Sequence, residues 1–233
     1  MAAAYSGASS ASIIYDSLQP AHGTGFGTQD NILTLRSNRA VNGVETGKVA
    51  WNGTQDHPTG AQVDSNSGKT ATFTFGSLGI TNAGQILLTW NPNEKGNTNG
   101  QKTRVDSLFL SIYAPNGSVL TTQSLAAPVT HNTTPVNPGL GGDGFAYLLD
   151  TAGISSVNSA LFGINGGFND YRLGLESQIS FADAGPDTWI IGSRPYDPGV
   201  QVPEPSSAGL LGLAVLGIAL TRLYAVRRRT YIE

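Results

Sequence analysis

Three short segments of the sequence concentrate oxygen-bearing side chains that could bind a cation. They cover residues 91–100, 141–144 and 165–170, and they combine Asn, Asp or Glu with glycine. Carboxylate and amide oxygens on flexible backbone are the ligands that Ca²⁺ takes in proteins. None of the segments has the residue order of an EF-hand loop, and β-turns favour the same residues. A calcium site and ordinary turns therefore both stay open, and no other cofactor is predicted. The candidate calcium ligands are Asn93, Glu94, Asp143 and Asp170.

Side chains suited to nucleophilic or acid–base catalysis are few. The chain has no cysteine, which excludes thiolate nucleophiles, Cys-ligated zinc and disulfides. Three histidines lie in polar contexts far apart in the sequence, and we expect all of them at the surface. The glutamates that precede residue 204 show no pairing of the kind that glycoside hydrolysis needs. We therefore predict no catalytic residues. The histidines are His22, His57 and His131, and the glutamates are Glu45, Glu94 and Glu176.

Trp51 is the one aromatic side chain that we single out as a candidate carbohydrate contact. It precedes the polar stretch 52–56, and an exposed aromatic ring with polar neighbours can stack on a sugar. A position in the hydrophobic core is the alternative for Trp51, and it is the one that we favour. Trp90 and Trp189 end apolar runs, so we predict that both belong to the core.

The elements that would position these side chains are mostly short strands. Ser107–Ala114 alternates cleanly: Leu108, Leu110 and Ile112 share one face of a strand, and the residues between them share the other. Pro115-Asn116-Gly117 predicts a hairpin turn after it, and a helix is predicted from Asp150 or Thr151 to Gly163. The other predicted strands are 12–16, 32–36, 48–51, 70–75, 85–90, 118–125, 144–149, 171–181 (with a bulge near Ser177) and 188–191. The predicted fold class is all-β: an antiparallel β-sandwich or jelly-roll-like domain with one short helix, plus a C-terminal transmembrane helix.

Charge is divided unevenly along the chain. Residues 1–202 carry a net charge of −5, and residues 203–233 carry +2. Binding to nucleic acid requires clustered Lys and Arg against the phosphates, so we exclude nucleic acid as a partner.

The last part of the sequence predicts a membrane segment. Residues 208–226 are apolar apart from Thr221 and Arg222, and a helix of this length would measure about 28 Å, close to the ~30 Å hydrocarbon core of a bilayer. The basic cluster Arg227, Arg228 and Arg229 follows directly and predicts that the C-terminus lies in the cytoplasm. Pro203, Glu204 and Pro205 precede the span, and the two prolines should keep that stretch extended.

This order of parts resembles the PEP-CTERM sorting signal of Gram-negative bacteria. The resemblance covers about residues 202–229. It implies recognition by an exosortase, removal of the helix, and a setting in exopolysaccharide or biofilm matrix. We accordingly expect an exported, non-enzymatic protein of the cell surface or extracellular matrix that passes through the inner membrane and contacts polysaccharide. The alternative is a secreted carbohydrate-active enzyme or carbohydrate-binding module with the same tail.

The expected organisation follows from these observations. Residues 1–12 are a flexible N-terminus with the small residues that end a signal peptide, and we expect the upstream part of that peptide to be missing from this sequence. Residues 13–198 form the β-sandwich, 199–207 the linker with the Pro-Glu-Pro motif, 208–226 the transmembrane sorting helix and 227–233 the basic cytoplasmic tail.

Overall fold

A computed structural model describes residues 10–21, 30–36, 43–92, 102–132, 144–162, 167–182 and 186–195. These residues form twelve strands, one α-helix and a short 3₁₀ turn. The strands are β1 (Ser10–Ala21), β2 (Asp30–Arg36), β3 (Val44–Trp51), β4 (Asp56–Thr59), β5 (Phe73–Thr74), β6 (Ile86–Asn91), β7 (Lys102–Tyr113), β8 (Val119–Leu125), β9 (Val129–Asn132), β10 (Gly144–Leu149), β11 (Arg172–Ser180) and β12 (Pro186–Ser193). The helix α1 spans Thr151–Phe162, and the 3₁₀ turn spans Ala83–Gln85.

All twelve strands belong to one curled sheet. Ten of them run in the order β2-β12-β6-β10-β1-β8-β7-β11-β3-β4, while β5 pairs with β11 and β9 pairs with β7. The pairs are antiparallel except β1 and β8, which are parallel. The all-β class with one short helix is therefore confirmed. The sequence predicted a purely antiparallel sheet, and the parallel pair β1–β8 departs from that prediction.

Hydrogen bonds join the two ends of the curled sheet. The segment that follows β4 turns back along β2, where Arg36 N donates to Gln62 O at 2.6 Å and Asp64 N donates to Thr34 O at 2.9 Å. Gly47 makes this approach possible: a Cβ atom on it would lie 2.2 Å from Val63 Cγ2. The closure leaves the backbone groups of β2 paired at the position where an open sheet would have an edge.

The interior of the curl is one hydrophobic core. Leu108, Leu110 and Ile112 of β7 are fully buried, as their alternation predicts, and so are Trp90 and Trp189. The helix α1 packs against β1, β8, β10 and the 3₁₀ turn, and it adds Val157 and Leu161 to the same core.

The predicted helix and hairpin are also present. Asp150 Oδ1 accepts a hydrogen bond from Gly153 N at 2.7 Å, which is the N-cap that the sequence indicates. The hairpin joins β7 to β8, with Ala114 N donating to Ser118 O at 2.8 Å. The register between β7 and β11 shifts between Gln178 and Ile179, where Asp106 of β7 is the extra residue. The irregularity is close to the bulge predicted near Ser177, but it lies on β7 and not on β11.

The C-terminal segments are not part of the described structure. The chain divides into the units Met1–Tyr196 and Asp197–Glu233, and the described strands and helix all lie in the first. The predicted linker 199–207, the span 208–226 and the basic tail 227–233 fall outside the described residues. Among the residues that are described, no helix has the length and hydropathy to cross a membrane.

Candidate functional site

A groove with a cavity volume of about 390 Å³ lies on the outer face of β3, β7, β8 and β11. It forms where β11 changes its neighbour. Pairing between β3 and β11 ends at Lys48 and Glu176, and pairing between β5 and β11 involves Leu173 and Arg172. Gly174 and Leu175 lie between these two paired stretches, and both line the groove.

The alternation of β7 places aromatic and hydroxyl groups in this groove. Leu108, Leu110 and Ile112 face the core, so Phe109, Ser111 and Tyr113 face outward, and all three line the groove. Phe109 and Ser111 are half-buried, whereas Tyr113 is 9% exposed. Thr122 of β8 lies beside Ser111, with 3.0 Å between their hydroxyl oxygens.

Two opposite charges flank the groove. Lys48 and Glu176 are register partners on β3 and β11, and both residues are exposed. Glu176 is also the register partner of Phe109, so the two charges and the ring form one row across the sheet. Among the described residues that line the groove, Glu176 is the single carboxylate.

The Tyr113 hydroxyl is held in its protonated form. Burial raises the pKa of Tyr113, a hydrogen bond with Ser111 lowers that pKa, and the negative charge of Glu176 raises it again, with a net upward shift. Tyr113 therefore presents an O–H group at neutral pH.

Gly174 makes room for the Tyr113 ring. A Cβ atom on Gly174 would lie 2.9 Å from Tyr113 Cε2 and 2.5 Å from Val49 O. Any side chain at position 174 would thus push against both the ring and the backbone of β3.

Trp51 lies beyond the Tyr113 end of the groove. Its ring stacks on Arg172, whose Cζ is 4.0 Å from the ring centroid, and Arg172 is the register partner of Tyr113. Trp51 Nε1 donates to Pro115 O at 2.9 Å. The residue is half-buried, and it is not one of the fully buried residues of the core.

Arg172 is itself fixed by polar contacts. Its Nη1 donates to Thr72 O at 3.1 Å and to Thr72 Oγ1 at 3.0 Å. Asp56 Oδ1 lies 3.9 Å from the same nitrogen and accepts a hydrogen bond from Thr72 N at 3.1 Å. The position of the Trp51 ring is therefore set by a network that links β3, β4, β11 and Thr72, the residue before β5.

Only one of the four candidate calcium ligands, Asp170, belongs to the described residues. Asp170 is exposed, while Asn93, Glu94 and Asp143 lie outside the described residues. Across the described ranges there is no group of three or more His, Asp or Glu side chains that could hold a metal ion.

The surface prediction for the histidines is wrong for His131. His57 is exposed as expected, and His22 is not among the described residues. His131 is 3% exposed, and its Nε2 lies 2.5 Å from Tyr147 Oη. Burial lowers the pKa of His131 to about 4, because desolvation disfavours the charged ring. The short strand β9 turns His131 inward, and the polar sequence around it gave no sign of a strand.

The groove residues themselves were not predicted as a site. The alternation of Ser107–Ala114 indicated that Phe109, Ser111 and Tyr113 share one face of a strand. This pattern was the part of the site that the sequence could reveal. What the sequence did not reveal is that β3, β8 and β11 bring Lys48, Thr122 and Glu176 to that face.

One comparison with known proteins identifies a part of the chain. The family model of the PEP-CTERM protein-sorting motif matches residues 201–229, as the C-terminal sequence predicted. The motif indicates an exported protein that is sorted by an exosortase through a membrane intermediate. No curated protein and no solved structure matches the chain significantly.

Proposed function

We propose that this chain is a non-enzymatic protein of the cell surface or extracellular matrix, delivered there by its sorting motif and contacting polysaccharide. The observation that carries the proposal is the match of residues 201–229 to the sorting motif. An exosortase would cut the chain near Pro203–Pro205 and release the domain from the membrane helix 208–226.

The β-domain supports a structural or adhesive role. Its closed sheet and single core make a rigid body that needs no disulfide, and the chain has no cysteine to form one. Glycoside hydrolysis ordinarily uses two carboxylates that flank the scissile bond, whereas the groove is lined by Glu176 alone among the described residues. Binding is therefore the better account of the groove than hydrolysis.

Intact-mass analysis of protein extracted from the cell surface tests delivery and processing together. In a host that carries an exosortase, the wild-type chain expressed behind an export signal peptide should reach the surface without residues 208–233. The triple variant Pro203→Ala, Glu204→Ala and Pro205→Ala should stay in the membrane fraction at full mass, because the enzyme loses the segment that it recognises.

Pro198→Ala is the matched control, since it removes a proline just upstream of the motif and should be processed like the wild type. Surface protein that retains residues 208–233 would contradict the processing step. Normal surface delivery of the triple variant would contradict the role of the motif.

A further inference from the structure

We propose that the groove on the outer face of β3, β7, β8 and β11 is a binding site for a short stretch of a neutral saccharide. This inference rests on the proposed function, which places the domain among polysaccharides. It adds the site, the contacting residues and the charge class of the ligand.

Phe109 supplies the apolar surface of the site. Its ring is half-buried and lines the groove, so one part of it packs on the sheet while the rest stays accessible. The C–H face of a pyranose ring stacks on an aromatic ring in this way and removes apolar surface from water. Tyr113 lies four residues further along β7 on the same face and contributes the edge of its ring and its hydroxyl.

Polar groups around the ring match the hydroxyls of a sugar. Ser111 and Thr122 hydrogen-bond to each other, and each hydroxyl keeps capacity for a further hydrogen bond. The Glu176 carboxylate accepts hydrogen bonds, and the Lys48 ammonium donates them. A few polar groups that converge on an apolar surface are typical of small-ligand sites, and the cavity volume of about 390 Å³ lies in their size range.

The charges favour a neutral ligand over an acidic one. Lys48 and Glu176 are neighbours on the paired strands β3 and β11, so their charges offset each other at the site. Residues 1–202 have a net charge of −5, which repels an anionic polymer at long range. A neutral saccharide carries no charge, so neither Glu176 nor the net negative charge of the domain repels it.

Titration calorimetry with defined oligosaccharides tests this site. The full chain is purified in a detergent without a sugar head group and titrated with hexasaccharides of β-1,4-glucan, β-1,3-glucan and β-1,4-mannan, and with an acidic hexagalacturonate. We expect at least one neutral probe to bind, and to bind more tightly than the acidic probe. Phe109→Ala should weaken that binding about tenfold, which is the size of effect that loss of an aromatic stacking contact produces.

Two further variants keep the test decisive if Phe109→Ala unfolds the domain. Glu176→Ala changes an exposed side chain and should weaken binding about three- to tenfold through lost hydrogen bonds. Phe181→Ala removes an aromatic ring that is 54% exposed. Phe181 directly follows the end of β11, about 16 Å along the chain from Glu176, so the variant should leave binding unchanged.

Three outcomes would overturn the inference: no neutral probe binds, the acidic probe binds more tightly, or Phe181→Ala weakens binding as much as Glu176→Ala. Its failure is separable from failure of the proposed function. A chain that reaches the surface in processed form but binds none of the probes would remove the groove and leave delivery standing. A chain that binds a neutral probe but never reaches the surface would support the groove as a binding site and contradict the proposed delivery.

Discussion

At the scale of single residues, His131 connects the stability of the domain to pH. Its ring lies against Phe145 with 4.0 Å between ring centroids, against Tyr15 at 4.6 Å and against Trp90 at 5.3 Å. The titratable groups that face it are the hydroxyls of Tyr15 and Tyr147, and both tyrosine pKa values are raised by burial. The neutral ring is thus enclosed by aromatic groups that stay uncharged at neutral pH.

The low pKa of His131 predicts a loss of stability in mild acid. The folded-state pKa is about 4 against an ordinary value of 6.5, so between these values the unfolded chain binds the proton more readily. The contribution of His131 is fully present above pH 6.5 and is lost as the pH falls toward 4. The full shift corresponds to about 3 kcal/mol in the free energy of unfolding, as an order of magnitude.

Urea denaturation at several pH values between 7.5 and 4.5 measures this dependence. The double variant His131→Leu with Tyr147→Phe removes both hydrogen-bonding groups, so no partner is left unsatisfied, and its stability should fall less steeply over that range. His57→Asn changes an exposed histidine and should follow the wild-type curve. A double variant whose curve runs parallel to the wild type would show that His131 does not titrate in this window.

At the scale of elements, the closure of the sheet depends on Gly47 of β3. A Cβ atom there would lie 2.2 Å from Val63 Cγ2 and 2.8 Å from Leu35 Cδ2. Gly60 approaches from the other side, where its own Cβ would lie 2.7 Å from Gly47 Cα. These contacts occupy the point at which β3 and the segment after β4 meet β2.

Gly47→Ala should therefore destabilise the domain, because Val63 and Leu35 must move to admit the methyl group. We expect a loss of about 1–3 kcal/mol in the free energy of unfolding, the usual result of adding atoms to a packed core. Gly192→Ala is the matched control, since a Cβ on Gly192 of β12 would meet nothing within 4 Å.

Urea denaturation of both variants measures the difference, and Val63→Ala combined with Gly47→Ala should recover part of the loss if the clash is the cause. A Gly47→Ala variant as stable as the Gly192→Ala variant would show that the closure tolerates a side chain.

Most secondary-structure elements of the domain could be predicted from the sequence. Each of the ten predicted strands overlaps a strand of the structure, although the bounds differ most at β1 and β5. The helix α1 begins at the predicted cap. Alternation and capping are local patterns, which is why the sequence reveals them. β4 and β9 were missed. Each has four residues, β4 contains Pro58, and β9 reads Val-Thr-His-Asn, so neither shows an apolar alternation. Local patterns could not predict the groove, because it forms between β3 and β11, which are more than a hundred residues apart in the sequence.

At the scale of the whole molecule, the sorting motif and the groove that we propose binds saccharide lie in different parts of the chain. The sorting motif occupies residues 201–229, within the unit Asp197–Glu233, whereas the groove and the core cluster belong to the unit Met1–Tyr196. If an exosortase removes the helix, the domain that remains must keep its fold and its binding without that helix.

A chain shortened to residues 1–196 should therefore fold and bind like the full chain. We expect its melting temperature in the same detergent to match that of the full protein, because all residues of the core cluster are retained. Its affinity for a neutral oligosaccharide that the full chain binds should also be unchanged, while delivery to the surface should be lost with the motif. Calorimetry and thermal unfolding measure the first two properties, and fractionation of expressing cells measures the third. A shortened chain that unfolds would show that residues 197–233 contribute to the stability of the domain. A shortened chain that stays folded but loses affinity would show that these residues contribute to binding as well as to sorting.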